Sequence, residues 1–120
     1  MKNLTCAVAV SLAILAASSA QAGQVWKVAE GANGNLKGSW TITATGGQIQ
    51  GSATMSNGGQ SVTYFVAGAL ANGVYTLQRV SPSDNTNCTY RGQPNPDGSI
   101  AGMANCNGQS NPWIVTISQQ

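Results

Sequence analysis

The sequence predicts an all-β chain, an antiparallel up-and-down barrel of eight strands with one disulfide. Three observations predict it. No segment after residue 22 sustains a helical period of apolar residues. Eight short segments alternate apolar and polar residues, divided by Gly, Asn and Pro signals. The connections between them are short, and short connections join antiparallel strands. Closing such a meander removes its exposed edges. A two-sheet β-sandwich is the alternative.

The chain opens with Lys2, an apolar run Ala7–Ala17 and the small-x-small site Ala20-Gln21-Ala22 before Gly23. This is the pattern of a secretory signal peptide over residues 1–22. Its apolar run is shorter than the about 20 residues of a membrane-spanning helix, and no membrane anchor is expected. Residues 23–120 then form a single domain, exported to a periplasm or secreted. Cys6 leaves with the signal.

The first strand is Gln24–Ala29. In Leu36–Thr45, Trp40, Ile42 and Ala44 share one face and Ser39, Thr41 and Thr43 the other. Gln48–Met55 sets Ile49, Gly51, Ala53 and Met55 against Gln48, Gln50, Ser52 and Thr54. Ser61–Leu70 and Val74–Val80 are joined by Ala71-Asn72-Gly73, a hairpin turn with glycine where φ turns positive. Cys88–Gln93 and Ser99–Cys106 flank the turn Pro94–Gly98. Trp113–Ser118 closes the chain, with Trp113, Val115 and Ile117 on one face.

A short repeat favours the barrel: Gly47-x-Ile49-x-Gly51-x-Ala53 matches Gly98-x-Ile100-x-Gly102-x-Ala104. Glycine weakens a strand interior, but barrel closure needs bending that glycine kinks supply. The missing side chains also leave interior room, for a Trp or for a ligand. Successive loops of a meander alternate between its ends. Thr45–Gly47, Ala71–Gly73 and Pro94–Gly98 make one end tight. Glu30–Asn35, Ser56–Gln60, Ser81–Asn87 and Asn107–Pro112 make the other a mouth, rich in Asn, Ser and Gln.

Cys88 and Cys106 fall at that mouth. An exported chain meets oxidising conditions, so they are expected to form a disulfide stapling the rim. Two Cys with no His make a poor zinc site, so no metal is expected, and no cofactor. Lys27, Lys37, Arg79 and Arg91 stand against Glu30, Asp84 and Asp97 beyond the signal. Four scattered cations make no basic patch, which excludes nucleic acid. Without His, and with one of the three carboxylates in a tight turn, no acid–base, metal or nucleophilic constellation emerges. The chain is expected not to be an enzyme.

Gly38-Ser39-Trp40, followed by a turn and Gly47–Ala53, resembles the opening of calycin barrels: lipocalins, avidins and small bacterial metalloprotease inhibitors. The resemblance covers Leu36 to Met55 and the strand count. It implies a ligand- or protein-binding barrel whose Trp packs near one end against a basic residue from a late strand. The last strand here carries no Arg or Lys, and one strand precedes the G-x-W.

Two functions follow. The first is binding of an unidentified small molecule or glycan at the mouth, with Trp40 and Trp113 as stacking faces and Asp84, Asn85, Asn107 and Asn111 as polar contacts. The second is a protein-binding module, such as an inhibitor of a secreted or host hydrolase, presenting the loop Ser81–Cys88. An open interior favours the first; a filled core with a protruding loop favours the second. Arg79 completes the candidate site. Burying Tyr75 and Leu77 would turn Arg79 inward too, toward Trp40 or Trp113, where without a carboxylate partner it would hold an anionic ligand; the alternative is a solvated Arg79 at the strand's end.

Overall fold

The computed structural model describes residues 23–119. Residues 1–22, where a signal peptide is expected, and Gln120 lie outside the described residues. Eight strands follow in order: β1 (Gln24–Glu30), β2 (Leu36–Thr45), β3 (Gln48–Asn57), β4 (Gln60–Ala71), β5 (Val74–Val80), β6 (Cys88–Pro94), β7 (Ile100–Cys106) and β8 (Gln109–Gln119). Each pairs antiparallel with its neighbours in sequence, and β8 returns to β1 to close the barrel. Closure settles the choice against the open sandwich and is consistent with a calycin-like barrel. It leaves no free strand edge, as the polar–apolar alternation requires.

The two sets of loops fall at opposite ends, as a meander dictates. The mouth is less open than expected. Ser56–Gln60 shrinks to a turn at Gly58-Gly59. Asn107–Pro112 shrinks to Asn107-Gly108, both at positive φ (54° and 86°). That is the backbone of a two-residue hairpin turn, and Asn-Gly is its strongest sequence signal. β8 therefore starts at Gln109 rather than Trp113, and Asn111 sits within the strand opposite Ala104, partly buried. Pro112 is tolerated there because β1 has already ended: its last residue, Glu30, pairs with Trp113. The N and C=O of one antiparallel strand residue face the same neighbour, so the flank lacking an N–H is the one beyond the end of β1, toward Gly31. The Pro112 carbonyl accepts a hydrogen bond from Gly31 N at 3.1 Å. Only Gly31–Asn35 and Ser81–Asn87 remain as longer loops at this end.

The interior is filled. Trp26, Trp40, Trp113, Tyr90, Ile42, Met55 and Leu77 are all buried, and they come from six of the eight strands. The glycines serve this packing differently from the expected kinks alone. A Cβ at Gly92 would come within 3.0 Å of the Trp113 ring, so this glycine makes room for the indole. Gly102, paired with Gly92, serves backbone approach: a Cβ there would fall on the Arg91 carbonyl oxygen and within 2.5 Å of the Gly92 Cα. A Cβ at Gly51 would likewise fall on the Thr41 carbonyl oxygen and come within 2.6 Å of the Ile42 side chain. Gly102→Ala must push β6 and β7 apart. It is expected to cost about 1–3 kcal/mol, read as a lowered denaturant midpoint. Gly98→Ala, where a Cβ would meet nothing within 4 Å but φ is 90°, separates backbone strain from collision.

Candidate functional site

Inward alternation brings one residue from each of several strands to the mouth end of the barrel. Trp26, Val28 and Glu30 share the inner face of β1, so the last of them lies buried at the rim. Leu77 and Arg79 do the same on β5, and Cys88 and Tyr90 on β6. Arg79 is inward, 7% exposed, and Glu30 is 5% exposed. Charges so placed must be paired and hydrogen-bonded.

They are. Arg79 Nε donates to the Tyr90 hydroxyl at 2.8 Å, Nη1 to the Thr86 carbonyl at 3.3 Å and Nη2 to Glu30 Oε2 at 3.5 Å. The guanidinium lies over the Tyr64 ring, 4.2 Å from its centre. Asp84 Oδ1 stands 3.9 Å from Nη1. Tyr90 donates in turn to the Tyr64 hydroxyl at 3.4 Å, which also accepts from Trp40 Nε1 at 3.2 Å. Arg79 thus reaches Trp40 only through tyrosines, and it has the carboxylate partner whose absence would have marked an anion site. Trp40 and Trp113 are 0% exposed and belong to the core, with no face open to a ligand.

Burial pushes the Glu30 carboxyl above its ordinary range, more than the Arg79 charge and the Tyr90 hydroxyl pull it back. Burial also raises Tyr64 and Tyr75. Tyr90 is raised strongly, by burial and then by its neighbours Tyr64 and Glu30. The chain has three tyrosines, so all three are raised in the folded state. A raised tyrosine adds stability that is present below the unfolded value of about 10 and lost as pH climbs through the folded one. Phenolate absorbance is therefore expected to stay low at that pH and then rise together with loss of the Trp near-ultraviolet signal. A gradual rise with that signal intact would contradict this burial.

The loop Ser81–Asn87 is built rather than slack. Ser83 N donates to the Thr63 carbonyl at 2.8 Å and Ser83 Oγ accepts from Thr63 N at 3.0 Å, docking it on β4. Asp84 Oδ1 accepts from Thr86 N at 3.0 Å. Asn85 N donates to Pro82 O at 3.0 Å, with Asn85 at φ 60°. Arg79 holds the Thr86 carbonyl from beneath, and the Cys88–Cys106 disulfide fixes the loop's end. Asp84 and Asn85 are thus exposed on one held loop, while Asn107 sits on the separate β7–β8 turn. Beside the loop, Phe65 is 59% exposed and faces its register partner Val80, also exposed.

Sequence reasoning missed Glu30, Tyr64 and Tyr90. The period of two in Trp26-Lys27-Val28-Ala29-Glu30 points Glu30 inward, but an isolated acid at a strand end reads as the start of a loop. Glu30 lies against the disulfide: its Oε2 is 3.7 Å from Cys106 Sγ, and its Oε1 and Trp113 Nε1 are buried with no hydrogen-bond partner. Of the grooves on the outer wall, one of about 530 Å³ lies between Gln48, Gln50, Ala67 and Gln78, and another of about 520 Å³ reaches Phe65 and Val80 at the foot of the loop. No family model, no curated protein and no solved structure matches this chain.

Proposed function

We propose that this chain is an exported, non-enzymatic protein-binding module, of the kind that inhibits a secreted or host hydrolase. Its recognition surface is the Ser81–Asn87 loop with Phe65 and Val80 at its foot. The observation that carries the reading is the filled interior: the aromatic core and the Arg79–Glu30 pair occupy the space a small ligand would need. What remains is a loop ordered before any partner arrives, and preordering lowers the entropy that binding costs. An exposed aromatic next to it is the residue type that anchors protein interfaces. The disulfide is compatible with export.

Native mass spectrometry of the protein recovered from its own periplasm or medium tests this. A stoichiometric protein partner is expected, and Phe65→Arg with Asn87→Arg should abolish the complex. Both positions are exposed, so the barrel should keep its melting temperature. Recovery of the chain with only a small-molecule adduct that survives those substitutions would return the reading to a ligand at the mouth.

A further inference from the structure

A carboxylate packed against a disulfide is an odd neighbour, because a disulfide has no proton to donate. Arg79 accounts for Glu30 Oε2, while Oε1 is buried with no hydrogen-bond partner. One carboxylate oxygen of Glu30 and the sulfurs of Cys88 and Cys106 all lie within 4.8 Å of one another. Cys88 and Cys106 face each other as register partners on β6 and β7, so the two sulfurs stay neighbours when their bond is broken. Ligand atoms on a tetrahedral zinc sit roughly 3.5–3.8 Å apart, given its bond lengths to sulfur and oxygen. The 3.7 Å between Cys106 Sγ and Glu30 Oε2 already falls in that range.

We propose that the dithiol form of this protein binds one divalent cation of the zinc class through Cys88 Sγ, Cys106 Sγ and the Glu30 carboxylate. The charges close: two thiolates and a carboxylate are offset by the cation and by Arg79, whose Nη2 holds the same Oε2 that approaches Cys106 Sγ, as metal-ligating carboxylates are commonly held by an outer partner. Cys106 is only partly buried and gives the ion its way in. A dithiol reductant supplies two electrons and two protons to open the disulfide and is itself oxidised to a disulfide. The ion then displaces both thiol protons. A peroxide reverses this by taking two electrons from the thiolates and, with two protons, leaving as water while the disulfide reforms and the ion departs. The ion and the disulfide are alternative staples for one end of the Ser81–Asn87 loop, whatever that loop binds.

The test uses residues 23–120, reduced with a phosphine under anaerobic conditions and titrated with cadmium, then with zinc against a chromophoric chelator. One ion per chain, a thiolate-to-cadmium charge-transfer band and release of about two protons per ion are expected. Glu30→Gln should weaken zinc by roughly tenfold or more, since even loss of an outer partner typically costs that much. Replacing both cysteines with serine should abolish binding. The oxidised Glu30→Gln protein is checked for its near-ultraviolet signal first. Should it not fold, the wild-type stoichiometry, proton release and cysteine dependence decide. Absence of the band, or equal zinc affinity in wild type and folded Glu30→Gln, overturns the proposal.

Discussion

Arg79→Leu is expected to destabilise the barrel by about 3–5 kcal/mol, the usual cost of removing one partner of a buried ion pair. The side chain is 3% exposed and holds four groups at once: Glu30, the Tyr90 hydroxyl, the Thr86 carbonyl and the Tyr64 ring. Leucine fills part of the space but leaves Glu30 without its cation and the Thr86 carbonyl without its donor. Adding Glu30→Gln to Arg79→Leu removes the stranded charge, so the double variant should recover part of the loss. Glu30→Gln alone should cost less than Arg79→Leu, because an amide still accepts from the guanidinium. Thermal melts of the four proteins complete the cycle. An Arg79→Leu variant with unchanged melting temperature and Trp emission would contradict the inward position. The same substitution frees the Ser81–Asn87 loop at Thr86 and should speed its proteolysis even where the barrel survives.

That network shows where the sequence was legible. Strand number, order and closure followed from alternation and short connections, because a closed meander satisfies every edge. The alternation in Tyr75-Thr76-Leu77-Gln78-Arg79 offered an inward Arg79 beside a solvated one, and the structure has it inward. Its partner did not. Glu30 lies 49 residues away, on the strand that closes the barrel against β8. Two residues so far apart meet only through the shear of the whole cylinder, which local patterning does not encode. The mouth was overestimated for another reason. A run of Asn, Ser and Gly carries turn chemistry whether it makes a long loop or a two-residue hairpin. At Asn107-Gly108 the hairpin prevailed, and Gln109 to Pro112, expected in the loop, belong to β8. Trp40 and Trp113 illustrate a third limit. The sequence places them on the inner face, but whether an inner face lines a cavity or a core depends on the volume of everything opposite.

Trp40→Ala should rival the loss of Arg79, again about 3–5 kcal/mol. Trp40 is fully buried and its ring touches four others: Trp26 stacked at 6.1 Å, Tyr64 and Tyr90 edge-on at 5.9 and 5.0 Å, and Trp113 tilted at 5.7 Å. Truncation opens a cavity between rings that are themselves fixed to different strands, so the barrel cannot simply collapse to fill it. The Tyr64 hydroxyl also loses the Nε1 donor at 3.2 Å. Against a total stability of about 5–15 kcal/mol for a domain of this kind, the variant would be folded only marginally. Trp26→Ala is the internal comparison. Its ring meets only Trp40 and Tyr75, and its Nε1 bonds to Gln24 at the closed end. It should cost less, despite removing the same side chain. Trp40→Phe keeps a ring but not the donor and should fall below Trp40→Ala. Chemical denaturation of the three variants gives the order. If Trp26→Ala proves the more damaging, the weight of the core lies toward the closed end, away from the polar network that Trp40 supports.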